Sequence, residues 1–444
     1  MNEIAKENST IAIMTLGHID HGKSTTLGHF LYLIGVIDQR TMDKLESESQ
    51  ELKMQSWKWA YILDSTNEER AGGITADIAF QPFQTTSGKK FMLIDGPGHR
   101  DFVKNAIKGA VQTDACILMV SAYPNDLKAG LKEGGVNDPG GQTREHAILG
   151  SVLGIQSVLV CINKMDMVNF SQDAFNAAVS QVKKLLKEIQ SPWLKSLKDS
   201  DFVPISGISG DNLTERSAKM SWYKGPTFLE ALEGLKPIER KNNLENIRFL
   251  VYDNYDFPGI GTLLYGRLIA GKINRDQSVI SMPFDQEGTI KDIWDVNSES
   301  INEISAGEFG SLQIKGIDKE KMPPGSVICS ENSLLHPATK IIARVLILET
   351  SGRPIIPGSS IILHVGLSHT AATIERIISI EREKKSRNKD KIMLAFGGEL
   401  VSLEIYPEHP IIVEKYSEQP ILGRLILRHS GQTIAVGVVT NFIT

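Results

Sequence analysis

The stretch Gly17-His18-Ile19-Asp20-His21-Gly22-Lys23-Ser24 fits the pattern G-x-x-x-x-G-K-[ST], between an apolar run and a segment of helical spacing. That combination suits phosphate. Glycines let backbone N–H groups curl around phosphate oxygens, and the start of the following helix adds favourable potential. Lys23 would neutralise the β and γ phosphates, the Ser24 hydroxyl would ligate Mg²⁺, and Thr25 would complete the loop's contacts with the nucleotide. A second element, Asp95-Gly96-Pro97-Gly98-His99, follows the apolar run 91–94. There Asp95 would hold the Mg²⁺ shell through water, and the Gly98 N–H would face the γ-phosphate. Alone, an Asp-x-x-Gly more often marks a turn; after a phosphate loop it gains meaning.

The base is read elsewhere. Asn163-Lys164-Met165-Asp166 follows the apolar run 157–162. A carboxylate at Asp166 can accept from both guanine N1–H and the exocyclic amine, and adenine offers neither donor there. Such discrimination is large, because a mismatched base leaves a buried charge unpaired. Ser206-Gly207-Ile208 would support the base with backbone groups, although the tripeptide alone says little. Thr75 lies between the phosphate loop and Asp95, where a switch threonine would reach Mg²⁺ only with the γ-phosphate present. The ordered set predicts a GTP/GDP site with Mg²⁺, the metal held by Ser24, Thr75 and Asp95.

These motifs need a scaffold that presents strand ends. Residues 11–16, 91–94, 116–120 and 157–162 are short apolar runs that read as buried strands. Segments 24–33, 102–110, 143–153 and 174–188 have helical length and spacing. Their alternation predicts an α/β P-loop G domain with a mostly parallel sheet, its last strand at 202–205 and its closing helix at 228–235. Past the polar connector 236–246 the pattern changes to short β-branched runs broken by Gly, Pro and Asn. They fall at 248–251, 262–269, 278–282, 311–314, 340–349, 360–365, 398–405, 425–428 and 433–439. Two antiparallel β-barrels are predicted. The expected organisation is a G domain at 1–240, one barrel at 245–335 and another at 338–444.

Composition narrows the rest. A chain of 444 residues, 41% hydrophobic and 23% charged, is globular and too long for one ordinary core. Its formal net charge of −5 excludes a whole-surface basic field. The basic run at 382–391 is read as a solvated loop. Cys116, Cys161 and Cys329 form no CxxC pair, so neither a zinc knuckle nor a disulfide framework is indicated, and buried thiols are expected. No apolar run reaches the length of a membrane helix, and the start lacks a signal-peptide pattern. A cytoplasmic protein with no membrane attachment is expected.

At this point the residues resemble the translational GTPases, most closely elongation factor 1-alpha. Asp95-Gly96-Pro97-Gly98-His99-Arg100-Asp101-Phe102 is similar to that family's Asp-Ala-Pro-Gly-His-Arg-Asp-Phe. Further matches run through Gly141-Gln142-Thr143-Arg144-Glu145-His146, Trp222-Tyr223-Lys224-Gly225-Pro226-Thr227, Gly259-Ile260-Gly261-Thr262 and Gln432-Thr433-Ile434-Ala435-Val436-Gly437. The resemblance implies GTP-dependent delivery of aminoacyl-tRNA to the ribosome, a guanine-nucleotide exchange factor as partner, and a monomer. It implies that His99 positions the attacking water. For the tRNA it points to residues 259–267 and to Arg424, Arg428 and His429. Termination and ribosome-rescue GTPases, of the release factor 3 and Pelota-partner types, share this architecture and carry a tRNA-shaped protein instead. Lys104 favours the elongation factor, whereas the stretch around Gly431 is similar to the rescue and release factors. Gly72, where the family has Arg, and Gly96, where it has Ala, are departures.

Overall fold

A computed structural model of the chain describes residues 10–44, 59, 62, 79–95, 113–133, 140–152, 155, 157–189, 191–236, 246–257, 261–348, 354–381 and 394–444. The chain divides into two compact units, Met1–Pro237 and Ile238–Thr444.

In the first unit the strands are β1 (Ile11–Leu16), β2 (Ala79–Gln84), β3 (Lys90–Asp95), β4 (Ala115–Ser121), β5 (Ser157–Asn163) and β6 (Phe202–Pro204). Among the described residues they form one sheet in the order β2-β3-β1-β4-β5-β6. All six residues of β1 and all seven of β4 are buried, as expected of strands covered on both faces. β1 pairs in parallel with both β3 and β4, and β4 with β5. The connections turn opposite ways on either side of β1 and β4. A crevice therefore opens at their carboxyl ends, the usual ligand position in such sheets. The helices are α1 (Lys23–Leu33), α2 (Pro124–Leu131), α3 (Gln142–Val152), α4 (Gln172–Glu188), α5 (Trp193–Ser196) and α6 (Phe228–Glu233). Ser171 caps α4 by accepting from the Ala174 N–H, and Thr227 and Glu230 form a reciprocal capping box on α6. By contrast the N-cap of α1 is Gly22, in the left-handed region at φ 79°, which offers no side-chain cap.

β2, α2 and the one-turn α5 depart from the sequence-based expectation. β2 is antiparallel to β3 and contains Pro82, which an edge strand tolerates because one side of it donates to no neighbour. α2 carries Asn125, Asp126 and Lys128 in eight residues, too polar to show a helical apolar stripe. The expected helix at 102–110 lies outside the described residues.

The second unit holds two rings of antiparallel strands. The first joins β7 (Arg248–Phe257), β8 (Gly261–Ala270), β14 (Phe309–Lys315), β11 (Gln286–Trp294), β10 (Ser278–Met282) and β15 (Val327–Cys329), and the β10–β11 pairing closes it. Short strands β9 (Lys272–Asn274), β12 (Ser300–Ile301) and β13 (Glu303–Ser305) lie beside it. The second ring is β16 (Lys340–Ile347), β19 (Leu400–Pro407), β18 (Ser368–Glu381), β17 (Ser359–Val365), β20 (Arg424–His429) and β21 (Gln432–Ile443), a closed barrel. Inward apolar side chains fill each ring: Phe249, Leu264, Val279, Ile290 and Leu312 in the first, Ile341, Val345, Leu363, Leu403 and Leu427 in the second. The α/β domain with two antiparallel barrels is thus present. β18 was not foreseen, because register shifts at Ile374/Arg376 and Ile377/Ser379 break its alternation. The three cysteines are free and buried, as expected.

Candidate nucleotide-binding site

The phosphate-loop segment leaves β1, passes a 3-10 turn at Ile19–His21 and enters α1. Gly17 adopts φ 143°, and a Cβ there would stand 2.4 Å from the Met119 carbonyl oxygen at the end of β4. Only glycine fits both demands. The loop is then strapped by α3: the Gly17 N–H donates to His146 Nδ1 (3.1 Å), the His18 N–H to Thr143 Oγ1 (3.0 Å) and the Ile19 N–H to Gln142 Oε1 (3.1 Å). The Lys23 ammonium donates to the carbonyls of Gly17 (3.2 Å) and His18 (3.0 Å), so it points back over the loop.

Burial sets the charges. It pushes Lys23 down to about 8 against the pull of Asp95 and Asp20. It pushes His21 down to about 4 and His146 to about 3, leaving both imidazoles neutral at physiological pH. The His21 ring spans Met119 O (3.0 Å) and Asp126 O (3.1 Å), and when neutral it donates to one of them. Lys23 therefore supplies the buried cation of the loop.

The Ser24 hydroxyl donates to Asp95 Oδ2 at 2.8 Å, and the Thr15 hydroxyl to Asp95 Oδ1 at 2.6 Å. Asp95 is fully buried at the end of β3. Thr25, next in the helix, is half-buried. Thr75, Gly98 and His99 lie outside the described residues.

The third motif joins the first. Asn163, 2% exposed at the end of β5, donates from Nδ2 to His21 O (2.8 Å) and Thr26 Oγ1 (3.1 Å). Its Oδ1 accepts from the Gly207 N–H at 2.9 Å. One amide side chain thus ties the phosphate loop, α1 and the segment after β6. Gly207 sits so close to Thr26 that a Cβ would meet its hydroxyl at 2.2 Å. Lys164 takes a left-handed conformation at φ 62°, uncommon for a residue with a Cβ. That turn precedes Asp166, whose Oδ1 accepts from the Ser206 hydroxyl at 2.6 Å. Ile208 is 47% exposed.

Asn163→Ala would leave His21 O and the Gly207 N–H without these partners. Each orphaned buried group costs about 1–3 kcal/mol. The nucleotide-free protein should therefore melt several degrees lower by calorimetry; an unchanged Tm would remove Asn163 as the tie.

The strand-end motifs are legible in the sequence, whereas Thr15, Thr26, His29 and His146 act through partners remote in sequence. His29 Nδ1 lies 2.8 Å from Gly207 O, holding the same segment as Asn163. For Gln142, Thr143 and His146 the signal is the stretch Gly141–His146, which carries part of the family resemblance.

Residues 8–238 match the Elongation factor Tu GTP binding domain, and residues 340–440 match the GTP-eEF1A C-terminal domain-like family. Elongation factor 1-alpha of Ignicoccus hospitalis is 34% identical over 98% of this chain and 97% of its own length. That of Thermoplasma acidophilum is 36% identical over 98% of each. The chain belongs to the elongation factor 1-alpha family. As a member of that family it is a translational GTPase, and its ligand is a guanine nucleotide. Similar folds support the assignment of architecture: the Saccharomyces cerevisiae Ski7 GTPase-like domain bound to GTP superposes with a TM-score of 0.80 at 20% identity, over 98% of each chain. Elongation factor SelB of Methanococcus maripaludis gives 0.68 at 19% identity, over 98% of this chain and 80% of its own. Among the described residues no helix of this family member is long and apolar enough to cross a membrane.

Proposed function

We propose that the protein carries aminoacyl-tRNA to the ribosomal A site in its GTP form and hydrolyses GTP when the codon is recognised. The observation that carries this reading is the 34–36% identity to elongation factors 1-alpha, which runs the length of the chain rather than stopping at the G domain. In this reading Gly17, His18, Ile19, Asp20, His21, Gly22, Lys23, Ser24 and Thr25 surround the phosphates, with Lys23 neutralising the β and γ groups. Asp166 accepts from the guanine edge, Ser206 holds its other contacts in place, and Asn163, Lys164, Gly207 and Ile208 complete the base site.

The donor set fits Mg²⁺. Ser24 and Asp95 bring a hydroxyl and a carboxylate together beside Lys23, hard oxygens of the kind this ion takes alongside substrate phosphates. Bound there, with Thr75 as a further ligand, the ion would supply charge neutralisation between the β and γ phosphates. Gly98 and His99 act at the γ-phosphate, Gly98 through its N–H and His99 by orienting water. Loss of the γ-phosphate releases the segments around Thr75 and after Asp95, which drops the cargo and makes way for an exchange factor.

Filter binding tests the cargo. GTP-loaded protein should retain charged tRNA and GDP-loaded protein should not. Indifference to tRNA, with capture of a Pelota-like or release-factor protein, would replace this reading with ribosome rescue or termination. His99→Ala should slow ribosome-stimulated hydrolysis about 100-fold while leaving GDP affinity within a factor of about two. Single-turnover rates on programmed ribosomes check this, and an unchanged rate would defeat the role of His99.

A further inference from the structure

Asp126, in the first turn of α2, joins three parts of the site that lie far apart in sequence. Its backbone carbonyl faces His21 Nε2 at 3.1 Å, in the phosphate loop. Its carboxylate Oδ2 accepts from the Lys164 ammonium at 2.8 Å, in the base motif, and from the Ser121 hydroxyl at 3.1 Å, at the end of β4. The ion pair is half-shielded, its side chains 26% and 23% exposed, so it is less screened than an open surface pair. α2 has little freedom to move off the loop by itself. A Cβ on Gly130 would stand 2.5 Å from His21 Cε1, so the helix lies flat against that ring. A Cβ on Gly141 would stand 2.2 Å from the Gly130 carbonyl oxygen, so the segment leading into α3 packs directly on the end of α2.

We infer that Asp126 is a positioning residue for nucleotide retention: by holding Lys164 and His21 from one short helix, it sets how fast guanine nucleotide leaves. Lys164 stands in a left-handed turn immediately before the residue pair that reaches Asp166. Anchoring its ammonium fixes that turn, and with it the direction of the Asp166 carboxylate. Displacing α2 loosens the base motif and the phosphate loop together, which is what release of a ligand held at both ends requires.

Dissociation of a fluorescent GDP analogue from the full chain tests this. Asp126→Asn keeps the backbone carbonyl and the side-chain shape but removes the charge. It should speed GDP dissociation about tenfold, with the association rate unchanged. Asp126→Glu should restore the rate to within about threefold. Lys164→Gln should accelerate release as well, and the double variant should be no faster than the faster single one, because both changes break one interaction. A merely structural Asp126 would instead give rates that multiply in the double variant, which overturns the inference. So does a wild-type rate in Asp126→Asn. Should Asp126→Asn fail to fold, Ser121→Ala carries the test: it frees the carboxylate from its second donor and should speed release about threefold, and an unchanged rate would overturn the inference as well.

Discussion

Asp166→Asn is expected to lose about 10³-fold in affinity for GDP and GTP and to gain affinity for xanthine nucleotides. A carboxylate accepts from two guanine donors at once, N1–H and the exocyclic amine. An amide offers one acceptor and one donor, so one of the two guanine N–H groups meets an N–H. Losing a charge-assisted hydrogen bond and creating a donor–donor contact together cost about 4 kcal/mol, which corresponds to that factor. Xanthine carries an oxygen where guanine carries the amine, and the amide then pairs with it. The Ser206 hydroxyl now donates to Asp166 Oδ1 at 2.6 Å, and it can donate equally to an amide oxygen, so the substituted side chain keeps its orientation. Competition of GDP and XDP for a fluorescent nucleotide measures the exchange of preference. Retained guanine preference would refute the assignment.

That assignment was available from the sequence because its residues are consecutive. Asn163 to Asp166 and Gly17 to Ser24 each act as a short peptide whose backbone geometry is set locally, so spacing alone carries the information. The residues that hold these peptides against each other are single and scattered. Thr26 meets Asn163 across 137 positions, and Lys164 meets Asp126 across 38. Nothing in their local sequence marks them, because their partners are chosen by how β1, β4 and β5 lie side by side. The fold shows the same division. β1, β5 and β10 match their apolar runs, since burial on both faces or clean alternation leaves a pattern. β2 and β11 do not. One carries a proline, and the other, Gln-Glu-Gly-Thr-Ile-Lys-Asp-Ile-Trp, buries few of its residues fully. A strand with one wet face and a bulge between Ile290 and Asp292 blurs the period that would reveal it.

Lys23 brings stability and function into conflict. The side chain is 5% exposed, and burial holds its ammonium down to about 8, well below an unfolded lysine. Between about pH 8 and 10.5 the unfolded chain thus binds a proton that the folded chain has released, so this group makes the nucleotide-free protein more stable as pH rises through that window. Below about pH 8 the full cost of the buried charge is present, about 3 kcal/mol. Nucleotide affinity runs the opposite way. Phosphates need the charged form, so GDP affinity should be constant below about pH 8 and fall above it, by up to about tenfold per pH unit. Lys23→Met removes the charge and keeps much of the volume. Its GDP affinity should fall about 10³-fold and lose the pH dependence between about pH 7 and 9. Its nucleotide-free Tm at pH 7 should match or exceed that of the unaltered protein, because the carbonyls of Gly17 and His18 lose a donor while the desolvated charge disappears. Isothermal titration across pH and calorimetry without nucleotide read the two effects separately. A variant that lost stability and affinity together would show that Lys23 serves as a structural clamp on the loop, and that the phosphates are neutralised from elsewhere.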